Sequence, residues 1–202
     1  MEKLSIEVRK GATVVIPLRL ESGTLVFKQI TAMSQSAPME VTVPAHGLPP
    51  VWRVGFQNTP WDDLNSPWDG LSSSAMRLVS VKDGNTITVD GLNSSGFTPY
   101  TSGGQIVYYS PIDLSIYSSA RMDIKTRPGG ALLTSYNTAD GQLYLDNSNK
   151  AVVLRLIPTD TEGVRSGKWS FDIEMVANDG SVLAICSPDS EIVFLQEVTT
   201  SV

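Results

Sequence analysis

The chain of 202 residues holds a single cysteine, Cys186, and a single histidine, His46. One cysteine excludes an internal disulfide and a thiolate metal cluster, and one histidine excludes a two-histidine zinc site. A Ser-His-Asp triad through His46, or a Cys186–His46 pair, is what remains for nucleophilic catalysis with an imidazole. Charge is sparse: charged residues make up 18% of the chain, with 15 Lys+Arg against 21 Asp+Glu and a formal net charge of −6. Without a dense basic run the chain has little with which to grip nucleic-acid phosphates or an anionic membrane. No apolar run approaches the roughly 18–20 residues that span a bilayer. Met1-Glu2-Lys3-Leu4-Ser5-Ile6 also lacks the basic-then-apolar build of a signal peptide. The expectation is a soluble chain, made in a reducing compartment and not exported by a standard signal. Sustained helical periodicity is missing too. Only 158–167 hints at a helix, and it is barely one turn long.

What is present is alternation. In Leu4-Ser5-Ile6-Glu7-Val8-Arg9 the apolar residues fall on even positions, the period of a half-buried strand. Ala12 to Leu20 is a second β-branched run, Pro17 within it points to an edge strand or a bulge, and Thr24-Leu25-Val26-Phe27 follows after a turn at Glu21-Ser22-Gly23. Further strand-like runs recur through Met39–Val43, Val51–Phe56, Met76–Val81, Thr86–Val89, Gln105–Tyr109, Ala120–Lys125, Ala131–Leu133, Gln142–Leu145, Ala151–Leu156, Trp169–Val176, Val182–Cys186 and Glu191–Leu195. Asp83-Gly84 and Asn178-Asp179-Gly180 carry hairpin-turn chemistry. Gly 16 and Pro 12 supply turns for many short strands. The pattern predicts an all-β chain, with the spacing of a sandwich or barrel.

Few residues carry chemistry. His46 lies in Ala-His-Gly-Leu-Pro-Pro without a Gly-x-Ser-x-Gly elbow to supply a nucleophile, so it reads as a loop histidine bonded to the turn backbone. Cys186 falls on an alternating strand and reads as a small buried hydrophobe. Asp62, Asp63 and Asp69 share a loop but lack the alternation, central glycine and distal glutamate of a calcium loop, and so read as solvated acids. Pro128-Gly129-Gly130 and Ser102-Gly103-Gly104 precede no helix and no Lys-Ser/Thr, so neither is a phosphate cradle. A carboxylate pair for glycoside hydrolysis is defined by its separation in space. The aromatics are more suggestive, because Trp52, Trp61 and Trp68 cluster in an otherwise polar, loop-rich stretch. Each one taken singly reads as a plug for the small core of its own domain, and as a set they are the candidates for partner contact.

Two segments carry a likeness to known families. The opening strands around Gly11, Ile112-Asp113-Leu114-Ser115, Ala120–Lys125, Arg127-Pro128-Gly129-Gly130 and 166–174 followed by Asn178-Asp179-Gly180 form an ordered pattern over about 120 residues. That pattern resembles the N-terminal module of phage baseplate upper proteins and related small phage structural proteins. Ala45-His46-Gly47-Leu48, Thr86-Ile87-Thr88-Val89 and 96–104 resemble the first catalytic cysteine half-domain fold of ubiquitin-activating enzymes. The family's glycine-aspartate step after His-Gly is replaced here by Pro49-Pro50-Val51-Trp52, and its Met-Thr-Glu-Leu-Asn stretch by Trp61-Asp62-Asp63-Leu64-Asn65. Residues 30–109 contain no cysteine, so ubiquitin chemistry does not follow.

The resemblances imply an Ig-like β-sandwich built from 1–29 and 110–202, with a small β-barrel over 30–109 inserted between its early strands. They imply a non-enzymatic part of a tailed-phage virion, an adaptor in the tail, baseplate or neck, made in the host cytoplasm. Its partners would be other virion proteins and copies of itself in a ring or trimer, without cofactor, metal, nucleic acid or membrane. The rival expectation is a host-attachment or carbohydrate-binding module that stacks sugars on exposed tryptophans.

Overall fold

The computed structural model describes residues 3–66 and 76–196. In chain order the strands are β1 (Ser5–Arg9), β2 (Val14–Arg19), β3 (Glu21–Gln29), β4 (Ala32–Met33), β5 (Met39–Thr42), β6 (Val51–Gln57), β7 (Arg77–Val81), β8 (Thr86–Val89) and β9 (Gln105–Pro111). They continue with β10 (Tyr117–Lys125), β11 (Leu132–Asn137), β12 (Leu143–Asp146), β13 (Ala151–Leu156), β14 (Gly167–Ala177), β15 (Val182–Ala184) and β16 (Ser190–Leu195). One α-helical turn, α1 (Pro158–Thr161), and two short 3₁₀ turns complete the described residues. The chain is all-β.

It divides into two compact units, Met1–Leu20 with Asp113–Val202, and Glu21–Ile112. The first unit is built from both chain ends. Its larger sheet runs β1-β16-β14-β10-β11, with β15 also paired to β14, and its smaller sheet runs β12-β13-β2. Because side chains alternate across a strand, one face of each sheet collects the apolar residues. Ile6 and Val8 of β1, Met122 and Ile124 of β10, Phe171, Ile173 and Met175 of β14, and Ile192 and Phe194 of β16 are all buried. The smaller sheet buries Leu143, Val152, Leu154 and Leu156. Pro17 lies on β2, which pairs only with β13, so its missing N–H leaves no central ladder broken. The β14–β15 pair turns through 178–181, where the Asp179 carboxylate accepts from the Ser181 N–H at 2.9 Å, as the Asn-Asp-Gly turn predicts.

The second unit is one sheet in the order β3-β9-β6-β7-β8-β5-β4. Its two outermost strands, β3 and β4, are consecutive in the chain and separated only by residues 30 and 31. A sheet whose edges are that closely tethered must curl round on itself, and this makes the unit an open barrel. Trp52, Val54, Phe56, Met39, Val41, Val79, Ile87, Val89 and Ile106 fill it, each fully enclosed. Each such side chain stabilises the fold by about 1.5–3 kcal/mol. The β7–β8 connection carries the expected Asp83-Gly84 turn, in which the Asp83 carboxylate accepts the Asn85 N–H at 2.8 Å.

The division falls at Leu20/Glu21 and Ile112/Asp113, and not at residues 29/30 and 109/110. The reason is the register of β3, which pairs along β9 from Glu21–Pro111 to Gln29–Gln105. A strand hydrogen-bonded along its length to the inserted sheet belongs to that sheet.

Candidate functional site

The connection from β6 to β7 passes through the Trp-Asp stretch, and residues 58–66 of it fold into a self-bonded loop. Thr59 and Asn65 brace its two ends: the Thr59 N–H donates to Asn65 Oδ1 at 2.8 Å, and Asn65 Nδ2 donates to the Thr59 carbonyl at 3.1 Å. Ser66 extends the edge of β6, its N–H donating to the Phe56 carbonyl at 2.6 Å while its hydroxyl accepts the Phe56 N–H at 3.2 Å. Between these braces Asp62–Leu64 forms a 3₁₀ turn that sends Leu64 into the core. Gly104 makes the close approach possible. Its φ is +88°, and a Cβ there would stand 3.0 Å from Thr59 Cγ2 and 3.1 Å from Thr59 Cα.

The structure corrects the expectation of partner contact for Trp52, on β6, and for Trp61, in this loop, since both are buried. Trp52 is 0% exposed and donates its indole N–H to the Tyr109 carbonyl at 3.1 Å. Trp61 is 7% exposed, donates to the Thr98 carbonyl at 3.1 Å, and meets the Phe97 ring edge-to-face at 4.9 Å between centroids. Both rings are plugs of the barrel, with the polar handle satisfied inside as a buried indole requires. Neither offers a face on which a partner or a sugar could stack. Trp68 lies outside the described residues, as does Asp69.

His46 is buried at 2% exposure, with both ring nitrogens in use. Nδ1 accepts the Leu48 N–H at 3.0 Å, which leaves Nε2 as the protonated nitrogen donating to the Asp83 carbonyl at 2.8 Å. The Tyr108 hydroxyl donates to the His46 carbonyl, and burial pushes that phenol's pKa up. The only imidazole is therefore a brace between two turns of the barrel. Cys186 is buried in the terminal unit at 1% exposure, and burial pushes its thiol up. A thiol held protonated is a poor nucleophile. Asp62 and Asp63 stay exposed, and no group of three or more metal-ligating side chains forms among the described residues.

One arrangement escapes sequence reasoning entirely. Gln29, Gln105 and Gln57 stand side by side on β3, β9 and β6. Gln29 Nε2 donates to Gln105 Oε1 at 3.2 Å, and Gln105 Nε2 donates to Gln57 Oε1 at 3.2 Å. Gln57 is 4% exposed, and its Nε2 has no acceptor. It forms part of the wall of a pocket of about 340 Å³, lined otherwise by Asn58, Thr59, Asp62, Asn65 and Ser66. A second, open depression of about 360 Å³ shares Asp62 and is lined by Trp61, Asp63 and Phe97. The two depressions share only Asp62, and the Gln57 Nε2 is itself shut off from solvent.

Compared with known proteins, the chain matches no family model and no curated sequence.

Proposed function

We propose that this chain is a non-enzymatic structural component of a tailed-phage virion, an adaptor in the tail, baseplate or neck. One observation carries the reading: a unit with its own core is threaded out of, and back into, a sandwich made from both chain ends. Two separately cored bodies joined by two chain segments suit an adaptor, which must hold one neighbour with one body and present the other. The ordered likeness of the terminal unit to baseplate upper protein modules supports the same assignment. So does the chemistry of the only imidazole and the only thiol, the first committed to two backbone bonds and the second buried and protonated.

As an adaptor it works through repeated copies in a ring or trimer, where many modest contacts add to firm attachment. Val15, Leu132, Tyr144 and Val182 on the terminal unit are exposed apolar residues available for such contacts. Other virion proteins are its partners, and the chain is made in the host cytoplasm before assembly. Trp52 and Trp61 are buried and so present no ring face on which a sugar could stack.

Two measurements test the reading. Peptide mass spectrometry of purified tailed particles should find the chain at a copy number set by the symmetry of the tail or neck. Light scattering of the isolated protein should show a closed oligomer or a monomer that enters one with particle proteins. Particles that lack the chain, or substrate turnover by the purified protein, would overturn it.

A further inference from the structure

We propose that the free edge of β1 pairs antiparallel with β1 of a second copy of this chain, with Glu7 of each copy opposite Arg9 of the other. β1 stands at the end of the larger sheet, with β16 on one side of it. The Glu191 N–H donates to the Leu4 carbonyl at 2.8 Å, and the Lys10 N–H donates to the Leu195 carbonyl at 3.1 Å. These two bonds fix the phase of the ladder. Leu4, Ile6, Val8 and Lys10 turn their backbone groups towards β16, whereas Ser5, Glu7 and Arg9 turn theirs away. The side chains of Ser5, Glu7 and Arg9 are exposed, and those of Ile6 and Val8 are buried. An outward row of unpaired N–H and C=O groups is a template for another strand. At the edge of the smaller sheet that row is interrupted: the outward residues of β2 are Val15, Pro17 and Arg19, and Pro17 has no N–H. On β11 the outward Ser135 and Asn137 carry no charge with which to choose a partner. β1 has neither restriction.

Charge selects both the partner and the register. Glu7 and Arg9 share one face of β1, and neither has an ion-pair partner among the described residues. A two-fold axis lays the strand antiparallel against itself, so the edge must complement itself. Outward residues must meet outward residues, which leaves a short choice. Glu7 opposite Glu7 of the other copy sets like charges face to face. Glu7 opposite Ser5 brings Lys3 opposite Arg9, again like against like. Glu7 opposite Arg9 sets opposite charges together on both sides of the axis, and each such pair also exchanges both of its backbone hydrogen bonds. Val8 then meets its own copy on the axis, and the larger sheet continues from one molecule into the next. Such an edge contact is small beside the roughly 1,200–2,000 Å² of a stable interface, so the pair is weak alone and gains from repetition in an assembly. The inference rests on the strand edge and not on the virion role, for which it supplies a contact between copies.

The test is sedimentation equilibrium of the full chain at low salt, from about 10 μM to about 1 mM, with amide hydrogen exchange read at both ends of that range. Wild type should pass from monomer to dimer. The Glu7 and Arg9 amides should gain at least about tenfold protection as it does, while those of Ile6 and Val8, already bonded to β16, stay slow throughout. Glu7→Arg and Arg9→Glu each set like charges opposite one another, and each should weaken the dimer at least about tenfold. Mixed in equal amounts, the two variants should associate again, because each brings the charge that the other lacks. Both changes are at exposed positions, and circular dichroism of each variant should match wild type, which separates lost pairing from lost folding. The proposal is overturned by a chain that stays monomeric at the top of the range, or by an oligomer whose Glu7 and Arg9 amides exchange as fast as in dilute solution. Single variants that dimerise like wild type, or a mixture no stronger than its components, overturn it equally. A monomer here leaves the virion role to the peptide count from purified particles, so the two readings fail separately.

Discussion

The Lys150 ammonium stands 3.6 Å from the Asp113 carboxylate, at the residue where the chain re-enters the terminal unit. The backbone carbonyl of the same lysine accepts the N–H of Leu20, the residue where the chain leaves it, at 2.9 Å. One residue of the β12–β13 turn thus touches both ends of the cut into which the second unit is spliced. On the other side of the cut, Glu21 is the register partner of Pro111. An insertion whose ends are already together in the host closes no costly loop when it is removed.

Replacing 21–112 with a linker of about four residues, which spans up to roughly 13 Å, should leave the terminal unit folded. The isolated 21–112 segment should fold as well. Both products are expected to show dispersed amide spectra and single cooperative unfolding transitions by circular dichroism. Collapse of either would mean that the two cores depend on one another.

His46→Ala should destabilise the inserted barrel without touching any surface activity. The change removes the acceptor of the Leu48 N–H and the donor to the Asp83 carbonyl, and it leaves a small cavity beside Leu48, which is 8% exposed. A loss of about 2–3 kcal/mol is expected in urea unfolding, from the buried Leu48 N–H left unpaired and from the cavity, since the Asp83 carbonyl sits on an exposed turn that water can reach. A variant that unfolds at the wild-type urea concentration would show that the imidazole braces nothing.

These tests also mark what could be read from residues alone. The alternation of residues 4–9 and the Asn178-Asp179-Gly180 turn are local, and each predicts its element directly. The strand Glu21–Gln29 misleads because its partner, β9, lies some eighty residues further along, and no local pattern says which sheet a strand will join. Trp52 and Trp61 are core plugs, as each reads when taken singly; the reading of the cluster as partner contacts does not hold for these two, because Trp52 faces inward from β6 and the Thr59–Asn65 brace folds the polar loop of Trp61 inward over the barrel. The glutamine row depends on the register of three strands distant in sequence, so Gln29, Gln57 and Gln105 give no hint of one another until those strands pair. His46 is the opposite case, since its turn context is enough to place it as a structural residue; Cys186 is buried as expected, but it lies two residues beyond β15 and not on the alternating strand that the sequence suggests.

Alkaline pH should loosen the terminal unit through Tyr136. Burial, with the Asp160 charge as the lesser cause, raises its phenol from 10.0 to about 12, and the hydroxyl donates to the Asp160 carbonyl at 3.0 Å. The folded state therefore holds this proton more tightly than the unfolded chain does. The associated stability is complete below pH 10 and is lost as the pH rises towards 12. A shift of this size corresponds to about 2–3 kcal/mol. Urea unfolding of wild type between those limits should weaken steadily, whereas Tyr136→Phe should show a flatter profile over the same window. Parallel profiles for the two proteins would assign the alkaline loss elsewhere.

The solvent face of the larger sheet supplies the last test. Asp123 on β10 and Asp172 on β14 are directly opposite each other, an arrangement that repels by itself. Lys125 offsets it, its ammonium lying 4.0 Å from Asp123 and 3.5 Å from Asp172, and the Ser135 hydroxyl donates to Asp123 at 2.8 Å. All three charged side chains are at most 30% exposed, so the lysine acts in a partly screened setting. Lys125→Met keeps the aliphatic stem and removes the charge, and it should cost about 1 kcal/mol at low salt. Molar salt should shrink the loss, because it screens both the attraction in wild type and the repulsion in the variant. Adding Asp172→Asn to Lys125→Met should restore most of the stability, since one carboxylate alone has no like charge to face. A double variant less stable than Lys125→Met would show that the lysine stabilises the sheet by packing and not by separating the two acids.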